Sequence, residues 1–310
     1  MNTVVIMLVF LLFGGAEDPV PANPAFAISV NNVQLQPHMM AFTASPGEQV
    51  TLSCADSLSW SIPTLALSGT GTEFRFTLPR SHGTYTVTAS DTASVQEWIM
   101  IIPLDKAQFR TASINSFPVG FYGDGNSRDH LPGRGFIELW PDVFNARIST
   151  HLSFSDFLGH TEGGWPQYMV LDLRLVHKLE CVLEEIALSY PEARGIHCIS
   201  GFRTPVYNAA IGNDTGFSLH LYGAASDFWI EGWPANNLID DLDRNKRIDV
   251  FDGEFIVAAA RRLEAAGEVA VGGASAYRWI TSHGPFVHLD TRGSAAVWQT
   301  RRNLVDNPVI

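Results

Sequence analysis

The chain has 310 residues, 46% of them apolar and 17% charged, and a formal net charge of -12. That length exceeds what one ordinary core accommodates and points to two domains, while the composition excludes intrinsic disorder. An acidic chain without a Lys/Arg run is repelled by phosphate backbones, so no nucleic-acid partner is expected.

At the N-terminus an apolar run, Val4 to Phe13, ends in Gly14, Gly15 and Ala16. It is too short to span a bilayer and ends in small residues, as a signal peptide does. Residues 1–16 are therefore expected to direct export to a secreted or periplasmic location, with cleavage after Ala16 or Ala22. No later segment carries eighteen consecutive apolar residues, so no membrane span is expected. Three cysteines, Cys54, Cys181 and Cys198, are too few and too odd in number for a disulfide framework. None sits in a CxxC or CxxH pair, so the sequence offers no thiolate zinc site.

Residues 23–104 read as all-β. Alternating runs such as Gln49–Ser53, Glu73–Leu78 and Thr84–Ala89 are separated by turn signals at Gly69 to Gly71 and at His82-Gly83. Gly47 to Cys54, then Trp60, then Gly83-Thr84-Tyr85-Thr86-Val87 resembles an immunoglobulin-like sandwich, with Val87 where that fold keeps its second core cysteine. Residues 105–140, with an irregular polar stretch at 123–134, read as a connecting segment.

Residues 141–310 turn to a mixed α and β pattern. Tyr168 to Tyr190 has a helical stripe of Leu171, Leu175, Leu179, Val182 and Ile186, ended by Pro191. Gly195 to Ser200 reads as a strand, Glu254 to Ala266 as a helix capped by Gly267, and 285–291 as a last strand. The expected fold is thus a two-domain chain: an immunoglobulin-like β-sandwich followed by an α+β domain.

The chemistry concentrates in that second half. His220 and Asp227 lie seven apart with Gly223 between them, a spacing suited to a loop turning into a strand. His288 and Asp290, two apart on a strand, face one side. Two imidazoles and a carboxylate make a three-ligand set for catalytic zinc, with a fourth position left open.

In order along the chain come SGFRTPVYN from Ser200, SLHLYGAASDF from Ser218 and GPFVHLDTRG from Gly284. Together these resemble the zinc D-Ala-D-Ala carboxypeptidases and murein endopeptidases over roughly residues 145–300. The resemblance implies a zinc peptidase acting on peptidoglycan peptides, with His220, Asp227 and His288 as zinc ligands. It places Arg203 in the cleft as a carboxylate anchor, and Ser218 and Tyr222 beside the substrate. His283, five residues before the last ligand, is expected to assist catalysis. Many relatives keep an acidic general base where this chain has Pro285, so Asp290 and His283 are the candidates for that role, with orientation of an imidazole the other reading of Asp290. Trp229, Trp233 and Trp279 are candidate cleft walls. No partner subunit is implied, and a monomer is expected.

A second metal signal lies at Asp241, Asp243, Asn245, Arg247, Asp249 and Asp252, which follow the calcium-loop positions 1, 3, 5, 7, 9 and 12. Arg247 would contribute its backbone carbonyl. Lys246 replaces the usual glycine and Asp252 the usual bidentate glutamate.

Overall fold

The computed structural model describes residues 22–105, 111–122, 135–159, 164–213, 217–232, 235–279 and 283–298. The expected signal peptide, the 123–134 stretch and Trp233 lie outside the described residues.

Seven strands come first: β1 (Ile28–Val30), β2 (Val33–Gln34), β3 (Ala41–Thr43), β4 (Gln49–Ile62), β5 (Leu67–Thr77), β6 (Gly83–Ser90) and β7 (Val95–Ile102). They form a single sheet in the order β2-β1-β4-β6-β7-β3, with β5 paired to β4. The sheet is mixed, because β3 runs parallel to β7 while the other pairs are antiparallel. It curls around an apolar cluster that includes Leu52, Trp60, Val87 and Trp98.

Two short ribbons follow, β8 (Ser113–Ile114) with β9 (Phe117–Pro118), and β10 (Ile137–Leu139) with β11 (Gln167–Met169). Between β10 and β11 lie the one-turn helices α1 (Pro141–Phe144) and α2 (Phe154–Phe157). Then come α3 (Leu173–Ala187), β12 (Ala193–Ser200), α4 (Pro205–Ala210), β13 (Ala225–Gly232), α5 (Val250–Ala266), β14 (Gly273–Tyr277), β15 (Phe286–Asp290) and β16 (Ala296–Val297). The second sheet has the order β12-β13-β15-β14-β16.

The expected two-domain fold is not what the chain adopts. Among the described residues strand accounts for 38% and helix for 21%, and these residues show no separate immunoglobulin-like domain joined to a separate α+β domain. The N-terminal strands build one curled mixed sheet. Its far edge also enters the main core: Met39, Ala41, Ile99 and Ile101 belong to the apolar cluster that holds Leu175, Leu179, Ile256 and Leu289. Backbone pairs Met39 with Ser149 and Leu104 with Phe136 stitch the same edge to the rest of the chain. The alternating runs lie in strands β4, β5 and β6, but alternation does not report which sheet a strand joins or what covers its other face.

The helices follow their sequence signals. Asp172 caps α3 by accepting from the Arg174 N–H, and the stripe residues Leu175, Leu179, Val182 and Ile186 are fully buried. The N-terminal end of the predicted helix is instead β11, with Leu173 the first helical residue. Asp249 and Asp252 make a capping box at the start of α5, and Gly267 ends it at φ 76°. All three cysteines are free thiols. Among the described residues no helix is long and apolar enough to cross a membrane.

Candidate metal centre

The second sheet divides its residues by parity. Phe228, Ile230, Val287, Leu289 and Ala274 bury one face against α3 and α5. The opposite face carries a row in register: Ser200 opposite Asp227, Asp227 opposite His288, His288 opposite Ser275. Polar side chains on four strands are thereby lined up by strand pairing alone.

His220 reaches this row from a 3-10 turn, Leu219–Tyr222, that precedes β13. Gly223 ends the turn at φ 59°, and a Cβ there would collide with the Val170 carbonyl oxygen. Glycine is needed both for the left-handed backbone and for the close approach.

One ligand atom from each of His220, Asp227 and His288 lies within 4.8 Å of the others. The His220 Nδ1–H donates to the Gly201 carbonyl at 2.7 Å, which turns Nε2 inward, 3.4 Å from Asp227 Oδ2. His288 Nδ1 is 2.8 Å from Asp227 Oδ1. Its Nε2 is buried without a hydrogen-bond partner and faces Asp290 Oδ2 at 3.5 Å.

His220 is thus oriented by a carbonyl behind it, and a carboxylate stands behind His288; both kinds of group are found around metal-ligating histidines. Burial lowers His220 below its ordinary pKa, despite the adjacent Asp227 carboxylate. Burial opposes charge on His288 as well, but Asp227 and Asp290 on either side outweigh it and raise the value. Burial would raise Asp227, yet the two imidazoles against it hold it well below the carboxylate range. Between His288 and Asp227 the structure prepares a place for one positive charge, a proton or a cation. Two imidazoles and a carboxylate are a donor set that could hold a metal ion.

The centre lies in an open cleft of about 460 Å³ whose walls include Phe217, Tyr277, Phe286, Arg292 and Trp298. Ser218 and Arg203 also line it. The Arg203 guanidinium, however, donates to Asp227 Oδ2 at 2.7 Å and through Nε to Ser200 Oγ at 2.7 Å. It braces the carboxylate of a candidate ligand and leaves Oδ1 turned toward His288. Tyr222 is buried, with its ring against Tyr122, and does not line the cleft. His283 is also not among the cleft-lining residues; its ring meets the edge of Phe286, and Nδ1 lies 3.0 Å from the Gly284 carbonyl oxygen. Asp290 is fully buried, with Oδ1 accepting from the Gly273 N–H at 2.6 Å and Oδ2 from Arg292 at 2.5 Å. Trp229 stacks on His197 at 4.1 Å, and Trp279 donates to the Ile248 carbonyl.

Tyr277, Arg292 and Trp298 are cleft residues that the sequence reading missed. Trp298 donates to the Tyr277 hydroxyl at 2.7 Å and lies 5.1 Å from the His288 ring. Burial raises Tyr277 above its ordinary pKa, so it presents a protonated hydroxyl. A signal existed for two of them: Arg292 is two residues beyond Asp290, and Tyr277 is two beyond Ser275 on the neighbouring strand.

The acidic loop brings Asp241, Asp243 and Asp252 together within the same 4.8 Å criterion. Lys246, at the position where calcium loops keep glycine, has φ 68°. Asp241 accepts from the Asn245 and Lys246 N–H groups at 2.9 and 2.7 Å. Asn245 bonds Asp243 through its side chain at 2.9 Å, and Asp249 accepts from the Phe251 N–H at 2.8 Å. Burial, with Asp243 nearby, pushes the Asp252 carboxyl up to about 6.

No protein-family model, curated protein or solved structure matches this chain. The functional reading therefore rests on the geometry of the site and on its residues.

Proposed function

We propose that the chain is a zinc-dependent peptidase that hydrolyses D-amino-acid-containing peptide bonds of bacterial peptidoglycan, as an endopeptidase or a carboxypeptidase, in a secreted or periplasmic location. The observation that carries this reading is the convergence of His220, Asp227 and His288 in the cleft, with His220 oriented from behind by the Gly201 carbonyl. Zinc held there would supply Lewis-acid polarisation of the scissile carbonyl and activation of water.

The chain's own residues divide the remaining work. Arg203 fixes Asp227, and Asp290, itself held by Arg292 and Gly273, stands behind His288 at 3.5 Å. The Tyr277 hydroxyl, oriented by Trp298, is the candidate donor to a developing oxyanion. Phe217, Phe286 and Trp298 give the substrate an apolar wall. Digestion of purified sacculi with added zinc, followed by identification of the released muropeptides, tests the reading; His220→Ala should abolish release.

One observation favours a second reading, a wall-binding protein that keeps the metal centre without turnover. Among the described cleft-lining residues Asp227 is the sole carboxylate, and it is already engaged by Arg203 and His288. Sacculus binding that survives His220→Ala, without released muropeptides, would select this alternative. The Asp241–Asp252 loop is read as a structural calcium site that fixes the start of α5. Calorimetric titration with calcium tests it, with Asp243→Ala expected to remove the heat of binding.

A further inference from the structure

A third cluster of metal-ligating side chains lies away from the cleft, where the curled sheet meets α3. His177 and Cys181 are one turn apart on α3, which puts them on one helix face. His38 comes from the segment between β2 and β3, 139 residues earlier than His177, and is buried. One ligand atom from each of the three lies within 4.8 Å of the others.

The outer nitrogens of both imidazoles face oxygen atoms. His177 Nε2 lies 3.1 Å from the Glu268 carbonyl oxygen, and His38 Nδ1 lies 3.6 Å from Glu184 Oε1. The Glu268 carbonyl can accept a proton from His177 Nε2, and the Glu184 carboxylate stands near His38 Nδ1. The inner nitrogens, His38 Nε2 and His177 Nδ1, then point at each other across 2.7 Å. In the absence of a metal one proton between them makes a hydrogen bond, and a bound cation would take that proton's place. Cys181 Sγ is 3.5 Å from the same His177 Nδ1.

Zinc–nitrogen bonds of about 2.0–2.1 Å and zinc–sulfur bonds of about 2.3 Å set neighbouring ligand atoms roughly 3.3–3.6 Å apart in a tetrahedral shell. Cys181 Sγ is 3.5 Å from His177 Nδ1 and 3.9 Å from Nε2, so the thiol and the His177 ring would need to turn toward each other, and the two nitrogens to separate by roughly 0.6 Å. The carbonyl behind His177 and the carboxylate near His38 are the kind of groups that orient ligating imidazoles.

We propose that His38, His177 and Cys181 form a second transition-metal site, suited to zinc, that pins the segment ahead of β3 to helix α3. Two imidazoles and a thiolate select a borderline-soft cation over calcium or magnesium. The role is structural: the ion would link the N-terminal sheet to the helix that also supports the second sheet. Binding requires the Cys181 thiol to lose its proton and both inner nitrogens to present lone pairs.

Cobalt titration of the metal-stripped, reduced full chain in calcium-containing buffer tests the proposal. The proposed cleft centre has no sulfur ligand, so a thiolate-to-cobalt charge-transfer band in the near ultraviolet reports this site separately. The wild type is expected to bind two cobalt ions per chain and to show the band. It should persist in His220→Ala and vanish in Cys181→Ser with loss of one cobalt per chain. His38→Gln should weaken the band-forming affinity at least tenfold. Absence of the band in the wild type would overturn the proposal. So would a band of full strength in folded Cys181→Ser, which would move the thiolate to Cys54 or Cys198.

Discussion

Asp290 illustrates how burial assigns a role to a single side chain. It has no solvent exposure, and its oxygens are taken by Gly273 and Arg292. It can orient His288, but it cannot reach a substrate. Asp290→Asn is therefore expected to lower zinc affinity by about 10- to 100-fold, measured by competition with a chromogenic chelator. Tyr277→Phe should behave differently: zinc content unchanged, kcat reduced by roughly 10²–10³ as for loss of one oxyanion donor. If Tyr277→Phe instead loses zinc, Tyr277 supports the centre and does not act on the substrate. Much of the site was legible at this scale. Two histidines and an aspartate at the right spacing are a chemical signal that survives without structure. The partner of Arg203 was not legible, because Ser200, Arg203 and Asp227 meet only through the pairing of β12 with β13.

At the scale of elements, α3 is the hub. Its buried face holds Lys178, whose ammonium donates to Glu264 at 2.6 Å on α5 and to the Asp290 carbonyl at 2.9 Å on β15. Glu180, next on the same helix, accepts from the His151 N–H and lies 2.7 Å from its ring nitrogen. Burial raises a carboxyl, but the His151 contacts prevail and hold Glu180 below its ordinary value of 4.5. A depressed folded-state pKa contributes stability that is complete above the unfolded value and is lost as pH falls through the folded one. Urea midpoints measured from about pH 6 down to pH 3 should decline more gently for Glu180→Gln than for the wild type; parallel curves would remove Glu180 from the account. The stripe on α3 and the capping residues of α5 were readable because helical spacing and caps are local. The switch from β11 to α3 was not, since the apolar residues continue through it and only the Asp172 cap marks the boundary.

For the molecule as a whole, the shared core decides how the chain unfolds. Ile99 and Ile101 come from the N-terminal sheet, and Leu175 and Ile256 from α3 and α5, yet all pack in one cluster. A single cooperative transition follows, shifted together by changes at either end. Ile101→Ala and Leu175→Ala should each cost about 2–5 kcal/mol and move the same denaturation midpoint. Two resolved transitions, with each variant shifting only its own, would show two independent units. The sequence pointed to two units because its pattern changes near residue 140 from strand alternation to helical stripes. A change of pattern marks a change of local structure, and it does not by itself divide a core.

On the proposed function, His220, Asp227 and His288 would hold a zinc ion with which the chain hydrolyses peptidoglycan peptides. The most direct measurement is the release of muropeptides from purified sacculi by the zinc-loaded chain, compared with the chelated protein and with His220→Ala. The account predicts defined peptide products from the loaded wild type, none after chelation, recovery on restoring zinc, and none from His220→Ala. Stoichiometric zinc bound at these three residues with no products from sacculi would contradict it.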